Sequence, residues 1–146
     1  LWLGEGVLEN LNFKLDDQYK QIQKNEVLCE QYEVDDAEIV VVAYGIAARI
    51  VSGAVTLARK EGIKVGWIRP ITLWPFPTEQ ISKAADEFRL FLTVEMSTGQ
   101  MVEDVKLAVA GKSPVVFYGR TGGGVPTVDE ILDKIRQLTL NQDTKD

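Results

Sequence analysis

A nearly unbroken run of apolar residues, EIVVVAYG at positions 38–45, constrains the fold of this chain more than any other stretch. Such a run is typical of a strand that lies inside a sheet and is covered by helices on both faces. Further elements are predicted to alternate after it, with helices at 46–62, 78–88, 97–111 and 126–138, and strands at 63–70, 90–95 and 114–119. This alternation predicts a parallel sheet with helices on both faces and right-handed crossovers.

The first 34 residues follow a different pattern. Apolar residues at helical spacing predict one amphipathic helix near 8–24, namely Leu8, Leu11, Leu15, Tyr19 and Ile22. Alternation at 27–34 predicts a short, half-buried strand. We therefore expect a helical extension at 1–26, an α/β domain at 27–140 and a polar tail at 141–146. Since the chain does not begin with Met, we expect the extension to continue from, or pack on, a preceding domain.

Local signals predict how several helices begin, end and face the core. Ser97 with Gln100, and Thr127 with Glu130, have the spacing of capping boxes. Gly62 suits the position just past a helix end. In the helix that follows the central strand, the apolar face is predicted to comprise Ile46, Ile50, Ala54, Leu57 and Ala58.

The composition argues against several classes of function. With 16 basic and 22 acidic residues the formal net charge is −6, a poor electrostatic match to nucleic acid or an anionic membrane. No stretch approaches the ~20 apolar residues of a spanning helix, and the amino end lacks the basic start of a signal peptide. The single Cys29 cannot form an internal disulfide, which suits a reducing cytoplasm.

The chain contains no histidine, the commonest proton shuttle and metal ligand. One cysteine without histidine argues against zinc and iron–sulfur sites of the usual kinds. We therefore predict that this chain contributes no catalytic residue, no metal ligand and no cofactor site of its own.

The turn AYGIAARI at 43–50 is a candidate anion or subunit contact. Gly45 lies where a strand becomes a helix, and Arg49 follows in the first turn, so backbone N–H groups and a guanidinium would meet an anion there. Alternatively, Gly45 permits a tight turn while Arg49 lies in solvent or pairs with a carboxylate of another subunit. The favoured interpretation is the second, because the three-glycine pattern of a dinucleotide site is absent.

The loop GRTGGGVPT at 119–127 is a second candidate. Gly122, Gly123 and Gly124 precede a helix, as in phosphate-binding loops, but no lysine–serine/threonine pair follows and a Val-Pro pair interrupts the N–H donors. The favoured interpretation is a loop that lets another chain approach closely.

Glu95, at the end of a predicted strand, admits two interpretations. It is a catalytic carboxylate at the edge where open α/β sheets bind ligands, or it caps a neighbouring helix or bridges a subunit contact.

The segment RPITLWPFP at 69–77 combines stiffness with aromatic side chains. Trp74 and Phe76 could line a ligand pocket, but prolines that fix the backbone favour rigid anchors for a protein surface. We therefore predict that Trp74 and Phe76 lie in an interface.

Four stretches resemble one family when they are taken together in order: VAYGIAARI, GIKVGWIRPITLWPFP, VEMSTGQMVEDVKLAV and VVFYGRTGG. They are similar to the carboxy-terminal, transketolase C-terminal-like domain of the alpha chain of 2-oxoacid:ferredoxin oxidoreductases, and the branched-chain (2-oxoisovalerate) type resembles them most. The resemblance implies a three-layer α/β/α sandwich with a five-stranded, mostly parallel sheet in the order 1-3-2-4-5, whose first strand is antiparallel.

The resemblance also implies a parent activity: oxidative decarboxylation of a 2-oxoacid, 2-oxoisovalerate or 2-oxoglutarate, with coenzyme A and ferredoxin. It implies thiamine diphosphate, Mg and iron–sulfur clusters in the parent complex, and beta, gamma and ferredoxin-like delta subunits as partners. For this chain it implies assembly rather than chemistry. Two other classes stay open from the residues: a phosphate- or nucleotide-binding module, and the equivalent domain of a 2-oxoacid dehydrogenase or transketolase.

Overall fold

A computed structural model describes residues 4–87 and 89–143 of the chain. Within these described residues, five helices and five strands are formed, and they alternate over most of the range. The helices are α1 (Val7–Asn25), α2 (Gly45–Lys60), α3 (Thr78–Ala85), α4 (Met101–Val109) and α5 (Val128–Asp143). The strands are β1 (Cys29–Tyr32), β2 (Ile39–Ala43), β3 (Val65–Pro70), β4 (Leu90–Glu95) and β5 (Val115–Gly119).

The strands form one sheet in the order β1-β3-β2-β4-β5. β1 runs antiparallel to β3, with Tyr32 opposite Trp67 and Glu30 opposite Arg69. The other three pairings are parallel. The predicted strand order and the antiparallel first strand are therefore confirmed.

The central strand β2 is the most buried element, because β3 and β4 flank it and helices cover both of its faces. Ile39, Val41 and Ala43 belong to a core cluster with residues of α2 and α5. Val40 and Val42 belong to a second cluster, with residues of α3 and α4. The prediction of a doubly covered strand is confirmed.

The predicted apolar face of α2 is partly wrong. Ile46 and Leu57 are exposed, whereas Ala54 and Ala58 are buried as predicted. The buried stripe consists of small side chains that let the helix lie close to the sheet, namely Ala47, Ala48, Val51, Ala54, Val55 and Ala58. Alanine is only weakly hydrophobic, so the prediction placed the apolar face along the larger isoleucine and leucine side chains instead of along the alanines.

Both ends of the chain differ from the central layers. None of the residues of α1 is buried, and β1 is shorter than the strand predicted at 27–34. Helix α5 continues to Asp143, so the predicted polar tail at 141–146 is helical up to that residue. Residues 1–3, 88 and 144–146 lie outside the described residues.

Arg59 ties the turn before β2 to the end of α2. Its guanidinium donates to both carboxylate oxygens of Asp36, at 2.8 and 2.7 Å. It also donates to the backbone carbonyls of Glu33 and Val65, each at 2.7 Å. The hydrogen bond from Arg59 lowers the pKa of Asp36 below its ordinary value of 3.8.

The Asp36–Arg59 pair predicts a pH dependence of stability. Because the pKa of Asp36 is lower in the folded chain, the pair stabilises it above the ordinary pKa of 3.8, and this stabilisation is lost as pH falls through the folded pKa. Asp36→Asn should therefore lower the free energy of unfolding at about pH 7, and the difference from wild type should shrink toward about pH 2. Urea unfolding at a series of pH values measures this. Asp35→Asn, which removes a neighbouring carboxylate, is the matched control and should show no such convergence.

Candidate functional site

The turns after β2, β3, β4 and β5 meet at the carboxyl edge of the sheet, where open α/β folds bind ligands. The favoured position is the crevice between strands whose connections leave in opposite directions. In this order that position lies between β2 and β4, since the chain passes from β2 to β3 on one side and then to β4 on the other.

Glu95 occupies this position and is fully buried, with a relative exposure of 0%. One oxygen of its carboxylate accepts the backbone N–H groups of Gln100 and Met101 at 3.2 and 2.9 Å. The Ser97 hydroxyl donates to this same oxygen at 3.1 Å, and the other oxygen accepts the N–H of Val102 at 2.9 Å. The carboxylate therefore neutralises the positive end of α4 from inside the protein.

This geometry decides between the interpretations of Glu95. Its function as a helix cap is confirmed, and the carboxylate faces backbone amides rather than an open pocket. The capping box predicted from Ser97 and Gln100 is wrong, because α4 begins only at Met101. Ser97 instead accepts the N–H of Gly99 at 3.0 Å and supports Glu95.

A second feature of this edge is a cavity of about 450 Å³ between α2 and β3. Gly45, with a φ of +57°, turns the chain from β2 into α2 beside it. Arg49 and Ser52 line it from α2, and Trp67 and Arg69 line it from β3. Two of the sequence candidates, Gly45 and Arg49, are therefore neighbours in one cavity, and Arg49 is the fifth residue of α2 rather than part of its first turn.

The glycine loop lies apart from this cavity. Gly122 and Gly123 have φ values of +62° and +81°, and neither is among the residues that line it. The loop leads into α5 through the predicted capping box, which is confirmed: Glu130 accepts the N–H of Thr127 at 2.8 Å, and Thr127 accepts the N–H of Glu130 at 3.2 Å. Arg120 also pairs with Glu130, so the loop is anchored to the helix it precedes.

The segment between β3 and α3 is held in place at both ends. The N–H groups of Ile71 and Thr72 donate to the carbonyl of Leu28 at 2.9 and 3.1 Å. The Thr72 hydroxyl donates to the carbonyl of Pro75 at 2.9 Å and accepts the N–H of Leu28 at 3.0 Å. Trp74 is left 54% exposed, whereas Phe76 packs against the core cluster of α3 and α4. Both residues nevertheless line one cavity of about 630 Å³ with residues of α1 and α3, so the predicted pair shares part of its surroundings.

Sequence reasoning missed Arg69 and Trp67. Both lie on β3 with the period of two that places them on one face of a strand, and Arg69 pairs with Glu30 across β1 at 3.1 Å. One signal could have identified Arg69. It is a charged residue at the carboxyl end of an otherwise apolar strand, and that strand lies next to the one that leads into Gly45.

The described part of the chain contains neither a metal-ligand cluster nor a membrane-spanning helix. Within residues 4–87 and 89–143, no group of three or more His, Cys, Asp or Glu side chains is placed to hold a metal ion. None of the helices in that part is long and apolar enough to cross a membrane.

Solved structures place this fold in a class. A chain of 2-oxoglutarate:ferredoxin oxidoreductase from Magnetococcus marinus, with 2-oxoglutarate, coenzyme A and succinyl-CoA bound, matches with a TM-score of 0.75. It is 17% identical, and the match covers 92% of this chain and 24% of that one. A split-gene transketolase matches with a TM-score of 0.55 at 19% identity, over 70% of this chain and 38% of that one. The fold is therefore a transketolase-like α/β/α domain.

Sequence comparison defines the family within that class. The chain belongs to the family of pyruvate:ferredoxin oxidoreductase core domain II, whose model matches residues 37–131. The ketoisovalerate oxidoreductase subunit VorB of Methanothermobacter thermautotrophicus is 50% identical over 138 residues, which are 94% of this chain and 39% of the relative. The 2-oxoglutarate synthase subunit KorA of Methanothermobacter marburgensis is 44% identical over 101 residues, 69% of this chain and 27% of the relative. The resemblance stated from the sequence is confirmed, and this chain spans well under half of these relatives.

The buried cap yields a prediction. Glu95→Gln removes the charge and one of the two acceptor oxygens, which leaves amide N–H groups without an anionic partner and should lower the free energy of unfolding by about 2–4 kcal/mol. Glu103→Gln is the matched control, because Glu103 is an exposed first-turn acid of the same helix and should change stability by about 0.5 kcal/mol or less. Chemical denaturation of the two variants measures the difference. If both substitutions lowered the free energy of unfolding equally, the Glu95 cap would contribute no more to stability than an exposed acid.

Proposed function

We propose that this chain is a non-catalytic assembly domain of a thiamine diphosphate-dependent 2-oxoacid:ferredoxin oxidoreductase. Its function is to pack against neighbouring domains and subunits around an active centre that they hold. The observation that carries this proposal is a set of exposed apolar side chains on α1 and on the segment after β3.

Helix α1 presents apolar side chains that nothing in the described chain buries. Leu8, Phe13 and Tyr19 are each more than half exposed, and none of the helix's residues is buried. An amphipathic helix gains most of its stability from packing its apolar stripe against another surface. A partner surface, either a preceding domain of the same protein or another subunit, would supply that packing.

The segment after β3 continues this surface. The rings of Tyr19 and Trp74 meet edge to face, with centroids 5.7 Å apart, and Leu73 beside them is also exposed. We call Leu15, Tyr19, Leu73 and Trp74 the docking surface. Burying the exposed half of one tryptophan, about 100 Å², would stabilise a complex by about 2.5 kcal/mol, and the hydrogen bonds that hold the segment reduce the entropy lost on docking.

The donor set of the chain does not fit the cofactors of the parent enzyme. An iron–sulfur cluster takes several cysteine thiolates, and Cys29 is the single cysteine. A magnesium diphosphate group takes oxygen ligands at an open edge, but the Glu95 carboxylate already accepts three backbone N–H groups and a hydroxyl. We therefore assign thiamine diphosphate, Mg and iron–sulfur clusters to other parts of the complex.

The relatives support a proposal for the parent reaction. A ketoisovalerate oxidoreductase subunit and a 2-oxoglutarate synthase subunit are both similar to this chain, so we propose a 2-oxoacid as substrate, with 2-oxoisovalerate favoured by the higher identity. Coenzyme A, ferredoxin and the beta, gamma and ferredoxin-like delta subunits are the proposed partners of the complex. The isolated chain is expected to be inactive.

The docking surface can be tested by assembly. Trp74→Ala should weaken the association of this chain with the other subunits of its oxidoreductase by about tenfold or more, because an anchoring aromatic is removed. Leu107→Ala is the control, since Leu107 is an apolar residue of α4 that is 78% exposed and lies outside the docking surface. Co-expression followed by biolayer interferometry of the purified variants measures the two dissociation constants. Association of Trp74→Ala at wild-type strength would contradict the proposal.

Phe76 gives the complementary prediction, on stability. Because Phe76 packs against the core cluster of α3 and α4, Phe76→Ala should lower the free energy of unfolding of the isolated chain by about 2–4 kcal/mol. Trp74→Ala, which loses the edge-to-face contact with Tyr19, should lower it by about 1 kcal/mol. Urea unfolding separates the two values, and the reverse order would show that Trp74 belongs to the core.

A further inference from the structure

We propose that the cavity between α2 and β3 binds the phosphoryl group of a phosphorylated small molecule. The cavity shares no lining residue with the docking surface, so this proposal stands or falls separately from the assembly function. Its volume of about 450 Å³ falls within the range of about 300–1,000 Å³ that is usual for small-molecule sites.

The charge of the cavity is the first argument. The charged residues that line it are Arg49 from α2 and Arg69 from β3, both positive. Two guanidinium groups that converge on one space repel each other unless an anion lies between them. Guanidinium forks match the oxygen geometry of phosphate, to which they donate two parallel hydrogen bonds.

The donors of these two arginines are largely unused. Arg49 is exposed, and within residues 4–87 and 89–143 the structure gives its guanidinium no hydrogen bond or ion pair. Arg69 pairs through one terminal nitrogen with Glu30 at 3.1 Å, while its Nε atom is buried without any hydrogen-bond partner. Because Nε is buried, the terminal nitrogen of Arg69 that does not pair with Glu30 is the donor that a ligand in the cavity would reach.

The backbone adds donors at the same place. Gly45 begins α2 at the rim of the cavity, and no side chain caps this end of the helix. The first turn of α2 also contains no acidic residue. The positive end of the helix dipole therefore faces the same space as the two arginines, and both favour an anion.

The remaining walls indicate the size and kind of ligand. Ser52 offers a hydroxyl, and the half-buried Trp67 ring offers an apolar surface beside the arginines. One water molecule occupies about 30 Å³ in the liquid. A phosphate group, which is only a few times larger than water, would therefore fill a small part of the cavity of about 450 Å³. A phosphate ester with an organic body fits this combination of charge, apolar wall and volume.

Glu30 provides a further test of the proposal, because it already pairs with one of the two arginines. Its carboxylate competes for Arg69 from the neighbouring strand β1. Glu30→Gln removes this competitor and adds no positive charge to the lining. If an anion binds between Arg49 and Arg69, the substitution should raise its affinity by about threefold to tenfold.

The experiment is isothermal titration calorimetry of the full 146-residue chain with inorganic pyrophosphate and with ADP, at low ionic strength. We expect both probes to bind, with ADP tighter because of its organic body. Arg49→Gln and Arg69→Gln should each weaken binding by about tenfold or more. Arg136→Gln is the matched control, since Arg136 pairs with Glu61 and Asp133 away from the cavity, and it should retain wild-type affinity.

The outcomes separate cleanly. Thermal unfolding of Arg49→Gln should match wild type, because Arg49 makes no hydrogen bond or ion pair within residues 4–87 and 89–143, so reduced binding by this variant reports on the cavity. Tighter binding of ADP than of pyrophosphate assigns the Trp67 wall to the organic part, and equal binding assigns the site to the phosphoryl group alone. Binding that Arg49→Gln and Arg136→Gln weaken equally would overturn the proposal. Absence of binding by either probe at millimolar concentration would also overturn it. That result would favour a carboxylate of a neighbouring subunit as the partner of the two arginines.

Discussion

The carboxyl edge of this domain depends on one buried carboxylate. Glu95 has no exposure to solvent, and its charge is balanced by three backbone N–H groups of the turn and helix after β4 and by the Ser97 hydroxyl. A buried charge is tolerated only when such partners surround it. Because the chain supplies its own anion at the position where open α/β folds bind a ligand, the positive end of α4 is neutralised from within the domain.

Helices α2 and α4 begin nearest the middle of this edge, and the positive charge at their amino ends is balanced differently. The positive end of α4 faces an internal carboxylate, whereas α2 begins at Gly45 without a side-chain cap and beside Arg49 and Arg69. The first arrangement serves the rigidity of the domain. The second leaves charge available to something that the chain itself does not provide. In the proposed docking surface, apolar rather than charged side chains are exposed.

The layered fold could be predicted from the sequence because it depends on periodicity. Within the run at 38–45, strand β2 (Ile39–Ala43) is buried on both faces, and Thr127 with Glu130 forms the cap that their spacing predicts. The strand order came from the family resemblance, since alternation alone does not fix which strands are neighbours.

The remaining features depend on three-dimensional contacts that spacing does not encode. Ser97 and Gln100 have the spacing of a capping box. The Glu95 carboxylate accepts the N–H groups at the start of α4 instead, because a charged acceptor forms stronger hydrogen bonds than a hydroxyl. Arg69 lines the same cavity as Arg49 only because β3 lies beside β2 in the sheet. Trp74 and Phe76 line the same cavity, yet Trp74 is more than half exposed whereas Phe76 also packs against the core cluster.

The most direct test of the assembly account is the turnover number of the reconstituted oxidoreductase, expressed per assembled complex, with wild-type chain and with Trp74→Ala. If this chain positions its partners without touching the reaction, Trp74→Ala should reduce the amount of assembled complex and leave 2-oxoacid turnover per complex at the wild-type value. A fully assembled complex whose turnover is reduced by Trp74→Ala, or turnover by the purified chain alone, would contradict the account.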